Sequence, residues 1–294
     1  MQLRHVEYFV ATAETGSVSA AAAQVHVAQP ALSRQLRQLE QDLGVALFDR
    51  APGRLALSRT GLALLPVARE LLAAADALER AAHLHARGRV ERLTIAAPTA
   101  TLTDIVSPFV ATMSPEDPVV DVRVADGPTV EAMLRAGADL AIGMQRPQAP
   151  LVARALATFP VWAYVPRSDP WSERGSVRLA ELLERPLIGL PASFTSREAL
   201  ERAVAAAGTS YSTLVEAANG TIAQALAASG RGVAVVSDDP RFDLVPLAVD
   251  LGDRRLSIRL VVAWDGSSVA ADTLAGLAAR IADWVAERYP TLPR

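Results

Sequence analysis

Ser17-Val-Ser-Ala-Ala-Ala-Ala-Gln-Val-His26, Val27-Ala28 and Gln29-Pro-Ala-Leu-Ser-Arg-Gln-Leu-Arg-Gln-Leu-Glu-Gln-Asp-Leu43 read as two helices joined by a tight turn. Gly16 is a helix stop and Ser17 an N-cap: Gly tolerates the left-handed geometry, and a Ser hydroxyl accepts a free first-turn amide. Four alanines, Ala20 to Ala23, keep the first helix thin enough for another to cross it closely. In the second helix Leu32, Leu36, Leu39 and Leu43 repeat at i, i+4, i+7 and i+11, which makes one buried stripe. The other face carries Pro30, Ser33, Arg34, Arg37 and Gln41, with Pro30 in the first turn where its missing amide costs little. The pattern describes a helix-turn-helix whose second helix would enter a DNA major groove by its N-terminal end. The alternative is an ordinary helical hairpin with a solvated polar face.

Upstream, Leu3, Val6, Phe9, Val10 and Ala13 share one side of a first helix ending near Gly16, which completes a three-helix core. Downstream, two short extended pieces within Val45–Leu57 flank Ala51-Pro52-Gly53, a turn signal. This reads as a β-hairpin wing with Arg50 and Arg54 on either side of its turn, within reach of phosphate or the minor groove. A solvated hairpin with two exposed arginines is the alternative. Residues 1–60 hold six Arg and five acids, so the nucleic-acid reading rests on where Arg34, Arg37, Arg50 and Arg54 fall and not on bulk charge.

Ser58 reads as the N-cap of a long helix to about Arg87. Leu62, Leu65, Leu72, Ala75, Leu78, Ala82 and His85 form a seam of near-heptad spacing, and Pro66 predicts a mild kink. A helix of roughly 30 residues is ~45 Å long and cannot bury a seam against itself. The same helix of a second subunit is the expected partner, and packing on its own C-terminal domain is the alternative. His83 and His85 read as surface residues.

After Gly88-Arg89 the pattern becomes α/β. Strands at Leu93–Ala97, Val119–Val124 and Asp139–Gly143 alternate with helices at Leu102–Met113 and Thr129–Ala136, a series that predicts a parallel sheet. Strands at Val152–Thr158 and Val161–Val165 lead outward. A second series follows: a strand at Pro186–Leu190, a helix at Arg197–Ala207, a strand at Leu214–Ala217, a helix at Thr221–Ser229 and a strand at Gly232–Val236. Leu256–Trp264 is a return strand, and Val269–Tyr289 a final amphipathic helix. The expected boundaries are 1–60 for the winged domain, 58–88 for the linker helix and 89–294 for the two-lobed domain. Within the last, lobe I covers about 91–160 and 265–294, and lobe II about 161–264.

Two such lobes predict a cleft that holds a small molecule at strand C-termini and helix N-termini. Three segments are expected to line it: Pro98-Thr99-Ala100-Thr101, Asp126-Gly127-Pro128-Thr129 and Ser193-Phe194-Thr195-Ser196-Arg197. Each offers hydroxyls and free helix-terminal amides suited to a carboxylate or similar anion. The plain alternative is that Thr101, Thr129 and Ser196 only cap their own helices. Arg146 is a candidate counter-charge, and Phe194 a candidate apolar wall.

Composition narrows the chemistry. In 294 residues there is no Cys and no Lys, and all four His precede residue 86. Thiolate, Schiff-base-lysine and Ser-His-Asp chemistry in the large domain are excluded, and neither a catalytic nor a metal site is expected. No apolar run reaches the ~18 residues of a membrane span, and Arg4, Glu7 and Glu14 break any signal-peptide pattern. The expectation is a cytoplasmic protein.

The chain resembles the LysR-type transcriptional regulators of bacteria over essentially its full length. The resemblance is carried by Phe9, Gly16, Ser17, Ala21-Ala22, Gln29-Pro-Ala-Leu-Ser-Arg34, Leu39-Glu40, Leu43-Gly44, Leu47-Phe48, Arg50, Leu57 and Gly61. It is carried less specifically by Gly137-Ala-Asp-Leu-Ala-Ile-Gly143 and by Ala225–Val235. It implies a fold that is α/β overall: a winged helix-turn-helix, a dimerising linker helix and a two-lobed effector domain like that of type 2 periplasmic binding proteins. It also implies dimers or tetramers, with RNA polymerase as a further candidate partner. By resemblance, Gln29, Pro30, Ser33 and Arg34 fall at the operator. Thr101 or its neighbours Thr99 and Ala100, with Gly127 to Thr129 and Phe194 to Ser196, fall at the effector. Ser58 stands where Thr is usual.

The expected function is a sequence-specific DNA-binding regulator whose operator binding responds to a small metabolite, anionic if the helix ends read it, with no other cofactor. The rival is a cytoplasmic small-molecule-binding protein or a carboxylate-dependent enzyme with an incidental helical N-terminus.

Overall fold

The computed structural model describes residues 1–51, 54–87 and 90–290; the side chains at 50, 51, 54, 80, 81 and 83–87 lie outside that description. The chain divides into two compact units, Met1–Arg87 with Arg135–Gly137, and Gly88–Leu134 with Ala138–Arg294.

The first unit contains α1 (Leu3–Thr15), α2 (Val18–Gln24), α3 (Gln29–Leu43), β1 (Phe48–Ala51), β2 (Arg54–Leu57) and α4 (Arg59–Arg87). Gly16 ends α1 at φ +64°, and its amide donates to the Thr12 carbonyl at 3.0 Å. The Ser17 hydroxyl accepts from the Ala20 amide at 3.4 Å and starts α2. Ala21 and Ala22 are buried where α2 meets its neighbours, with Val6 and Phe9 of α1 and Leu32, Leu36 and Leu39 of α3. Phe9 meets Phe48 edge-on at 5.7 Å, which ties the wing to the helical core. Two expected core positions are exposed instead: Leu3 at 40% and Leu43 at 41%. Both sit at helix ends, beyond the crossing. β1 and β2 pair antiparallel, Phe48 with Leu57 and Arg50 with Leu55.

The wing leads into α4 through a dense set of bonds. Glu40 of α3 accepts from the amides of Leu47 (2.9 Å) and Phe48 (3.3 Å). Ser58 donates its hydroxyl proton to the Ala46 carbonyl at 2.7 Å and accepts from the Gly61 amide at 2.9 Å, so it does cap the long helix. Gly61 lies so close to the Leu47 carbonyl that a Cβ there would collide with it. α4 runs through Pro66 without a break in the helix. Its apolar residues split between two faces. Leu64, Leu65, Ala68 and Leu72 pack on the helical core, while Leu62, Val67, Leu71 and Leu78 are exposed. The expected seam is thereby corrected: Leu65 and Leu72 serve the chain's own core. The exposed stripe is Val67, Leu71, Ala74 and Leu78, spaced i, i+4, i+7, i+11.

The second unit has two sheets. β3 (Arg92–Ala97), β4 (Val119–Val124), β5 (Leu140–Gly143), β6 (Leu151–Pro160) and β13 (Ser257–Asp265) form the first, in order β4-β3-β5-β13-β6. β3 pairs parallel with β4 and β5, as the alternating series predicts, and β13 pairs antiparallel with β5 and β6. α5 (Thr99–Thr101), a π-helical turn (Leu102–Val106) and α6 (Ser107–Val110) follow β3, and α7 (Val130–Arg135) follows β4. The second sheet holds β7 (Trp162–Val165), β8 (Ser176–Arg178), β9 (Leu187–Gly189), β10 (Leu214–Glu216), β11 (Val233–Val236) and β12 (Val245–Asp250), in order β10-β9-β11-β7-β12-β8. α8 (Leu179–Leu183), α9 (Thr195–Ala206) and α10 (Gly220–Ala228) belong with it. α11 (Ala271–Arg288) packs on β6 and β13, burying Leu274, Leu277, Ile281 and Val285.

Three expectations change. Because β13 pairs with β5 and β6, residues 257–265 belong to the first lobe and not the second. The helix expected at Leu102–Met113 spans 99–110 instead, and takes a π turn where Pro108 enters. Pro108 has no amide for the Asp104 carbonyl; the Tyr289 hydroxyl donates to that carbonyl at 3.2 Å. β8, α8 and β12 were not anticipated. The chain crosses between lobes twice, at Val161 and near Leu256, and the Val161 amide donates to the Leu256 carbonyl at 2.9 Å.

Candidate functional site

α3 presents the surface that the sequence assigns to DNA. Gln29, Pro30, Arg34 and Arg37 are exposed and Ser33 is half-buried, while Leu32, Leu36 and Leu39 on the other side are sealed in the core. The Arg37 Nε donates to the Ser33 carbonyl at 3.2 Å, which lays that side chain along the helix. Arg34 makes no ion pair with the described residues. Ala28 offers no side-chain cap, but its carbonyl accepts from the amides of Ala31 (2.9 Å) and Leu32 (3.1 Å), and Pro30 has no amide, which leaves the Gln29 amide of the first turn for an anion such as a phosphate. The side chains of Arg50 and Arg54 lie outside the described residues; the backbone puts both in the wing.

In the second unit, the three segments expected to line a cleft differ in what they leave free. Thr99 is engaged: its amide donates to Asp126 Oδ1 at 2.8 Å and its hydroxyl to Asp126 Oδ2 at 2.6 Å. Thr129 is exposed and accepts from the Ala132 amide at 3.3 Å, the plain capping role. Arg146 is exposed, with no ion pair to the described residues. Thr101 is 6% and Ser196 2% exposed, and neither hydroxyl bonds to the described residues. Phe194 precedes α9, is half-buried against the lobe II core and gives the helix no side-chain cap; Thr195 is also half-buried. Gly127, at φ +107°, faces Ser193 from across the cleft: a Cβ on it would stand 3.1 Å from the Ser193 Cβ. Arg197, beside Ser196, is not available to a ligand. It donates to Glu201 (2.6 Å), the Leu190 carbonyl (2.9 Å), Tyr211 (3.1 Å) and Glu216 (3.3 Å).

A polar clasp that sequence reasoning missed joins the lobes. Asp104, in the π turn, accepts from Arg241 at 2.6 Å and from the Asp239 amide at 2.9 Å. Gln224 of α10, fully buried, accepts from the Arg241 amide at 2.7 Å and donates to the Asp239 carbonyl at 3.0 Å. The Tyr289 hydroxyl lies 3.1 Å from Asp239, and Arg288 lies 3.4 Å from it. Ala100, Thr101, Asp104, Ser237, Asp239 and Tyr289 contribute to a recess of about 300 Å³, open solvent at its mouth included. Asp238 is 5% exposed and its Oδ2 has no partner among the described residues. Burial first, then the nearby Asp104 charge, pushes its carboxyl up to about 6. The sequence signal was Asp238-Asp239-Pro240-Arg241 one residue after a strand, with Asp104 four residues ahead of a proline.

Residues 3–62 match the model of the bacterial regulatory helix-turn-helix protein, lysR family, and residues 86–286 match that of the LysR substrate binding domain. The chain belongs to the LysR family. It is a LysR-type transcriptional regulator with a DNA-binding helix-turn-helix and an effector-binding domain. This regulator is 32% identical over 199 residues to the HTH-type transcriptional regulator TfdT of Cupriavidus pinatubonensis, covering 65% of this chain and 86% of that one. It is 38% identical over 96 residues to ClcR of Pseudomonas putida, a third (33%) of each chain. Among solved structures, full-length CbnR complexed with its target DNA matches with a TM-score of 0.65 at 24% identity, over 97% of this chain and 100% of that one. That last likeness is one of fold. Among the described residues of this regulator, no helix is long and apolar enough to cross a membrane.

Proposed function

We propose that α3 of this regulator reads the operator from the major groove, with Gln29, Pro30, Ser33 and Arg34 toward base edges and Arg37 toward the backbone. Arg50 and Arg54 of the wing are assigned to phosphate or the minor groove. One observation carries the reading: the face bearing Arg34 is open to solvent, while the opposite leucines are sealed in the core. A two-fold dimer built on the exposed stripe of α4 puts two such helices about one DNA turn, ~34 Å, apart or a multiple of it. A tetramer, with RNA polymerase as a further partner, extends the same scheme, and the cytoplasm is where such a protein meets DNA.

The effector in this reading is a small anionic metabolite held between the lobes, with Thr101, Thr195 and Ser196 as its polar contacts and Phe194 as an apolar wall. The first-turn amides of α9 and the two hydroxyls left without partners support that placement. The ligand acts by binding the DNA-competent arrangement with a different affinity from the other. No further cofactor is invoked.

A gel shift on the DNA flanking the gene tests the reading. Arg34→Ala is expected to weaken operator binding by about tenfold or more at fixed salt, and unchanged affinity would remove α3 from the interface. In a reporter assay Thr101→Val should abolish the effector response and leave DNA binding intact; a normal response would take Thr101 out of the site.

A further inference from the structure

The cleft is asymmetric, and its own chain makes it so. On the lobe I wall, the helical stretch opening at Thr99 has no cap from the preceding Pro98. Asp126 closes it from the next loop, with both carboxylate oxygens engaged by Thr99. A carboxylate thus already sits where a ligand's carboxylate would seek a helix end. On the lobe II wall, α9 is twelve residues long, its cap residue Phe194 supplies no side-chain acceptor, and Ser196, 2% exposed as a residue, bonds its hydroxyl to none of the described residues. Gly127, adjacent to Asp126, faces Ser193, which lies just ahead of α9. One wall therefore presents a negative charge with lone pairs that accept further donors. The other presents amides that donate.

We infer that Asp126 determines effector specificity. It selects a monocarboxylate whose far end carries a hydrogen-bond donor, an ammonium or a hydroxyl, and it rejects dicarboxylates. This rests on the reading that the effector occupies the cleft. A second carboxylate on a ligand held at α9 would approach the Asp126 charge, since Gly127 beside it lies against Ser193 just ahead of α9, and like charges so juxtaposed are disfavoured. An ammonium or hydroxyl there donates to Asp126 instead.

Calorimetric titration of the full-length protein with ligands matched in length tests this. Succinate is set against 4-aminobutyrate and 4-hydroxybutyrate, and glutarate against 5-aminovalerate. The amino or hydroxy acid of each set should bind about tenfold or more tightly than the dicarboxylate. Asp126→Asn should bring the members of each set to within about threefold. Thr99→Val, which loosens Asp126 without removing its charge, provides a second variant should Asp126→Asn melt early. It should leave the preference for the donor-bearing ligand in place. Equal or tighter dicarboxylate binding by the natural sequence overturns the inference, as does an undiminished gap in Asp126→Asn or no binding by either class. Ser193→Trp, an exposed position at the cleft lip, separates the two levels. Binding that survives it lies outside the cleft and sinks the placement of the effector. Binding that it abolishes, with the gap unchanged in Asp126→Asn, sinks only the role of Asp126.

Discussion

The carboxylate of Asp238 lies against Gly220, the first residue of α10, leaving no room for a Cβ between them. Gly220→Ala must therefore push a buried carboxylate off its seat. Overpacking of this kind costs about 1–3 kcal/mol, and urea unfolding of the full chain is expected to show a loss in that range. An unchanged midpoint would mean that Asp238 has room to move.

The same carboxylate makes stability depend on pH. Burial, then the charge of Asp104, raises it to about 6 from 3.8, so the folded chain holds this proton more tightly than the unfolded chain does. Its contribution is fully present below pH 3.8 and is lost as pH rises through about 6. Asp238→Asn removes that dependence. The stability of the natural sequence relative to Asp238→Asn should fall between about pH 4 and pH 7, by at most about 3 kcal/mol. Other carboxylates, such as Asp117, held low by its bond to Arg280, act in both proteins and cancel. A flat difference across that window contradicts the assignment.

Arg241 and Asp104 form one ion pair but are not equivalent. Removing Arg241 leaves Asp104, Asp238 and Asp239 together with Arg288, 3.4 Å from Asp239, as the remaining ion-pair partner among the described residues. Neutralising Asp104 relieves part of that crowding. Arg241→Ala is expected to cost about 3–5 kcal/mol, and Asp104→Asn clearly less. Thermal melts of the two single variants and the double variant measure the difference, and equal losses would show that carboxylate repulsion is unimportant there.

Assembly should depend on the exposed stripe of α4 and not on its buried face. Leu71→Glu or Leu78→Glu should shift the protein toward monomer in sedimentation velocity while leaving its melting temperature nearly unchanged. Leu65→Glu and Leu72→Glu alter the face that packs on the helical core and should lower the melting temperature first. The reverse pattern would mean that subunits meet elsewhere.

Local signals carried most of the architecture. Gly16, Ser17 and the leucine repeat of α3 act within a few residues of themselves, and the helices formed where those residues place them. The parallel β3, β4 and β5 followed from alternation alone. What the sequence did not disclose depends on distant partners. The face of α4 that serves the chain's own core is set by α1 to α3, so its periodicity could not apportion Leu65 and Leu72. The site behaved in the same way. Thr99 carries the residue type of an anion site, but Asp126, twenty-seven positions on, occupies it. Asp104 and Arg241 stand 137 residues apart and mean nothing until the lobes meet.

Gly61 has a mechanical consequence. With the start of α4 pressed onto the Leu47 carbonyl, Ser58 bonded to the Ala46 carbonyl and the Gly61 amide, and Glu40 accepting from the amides of Leu47 and Phe48, the long helix is joined to the helical core through one closely packed junction. Even one added methyl at residue 61 would force that junction to shift.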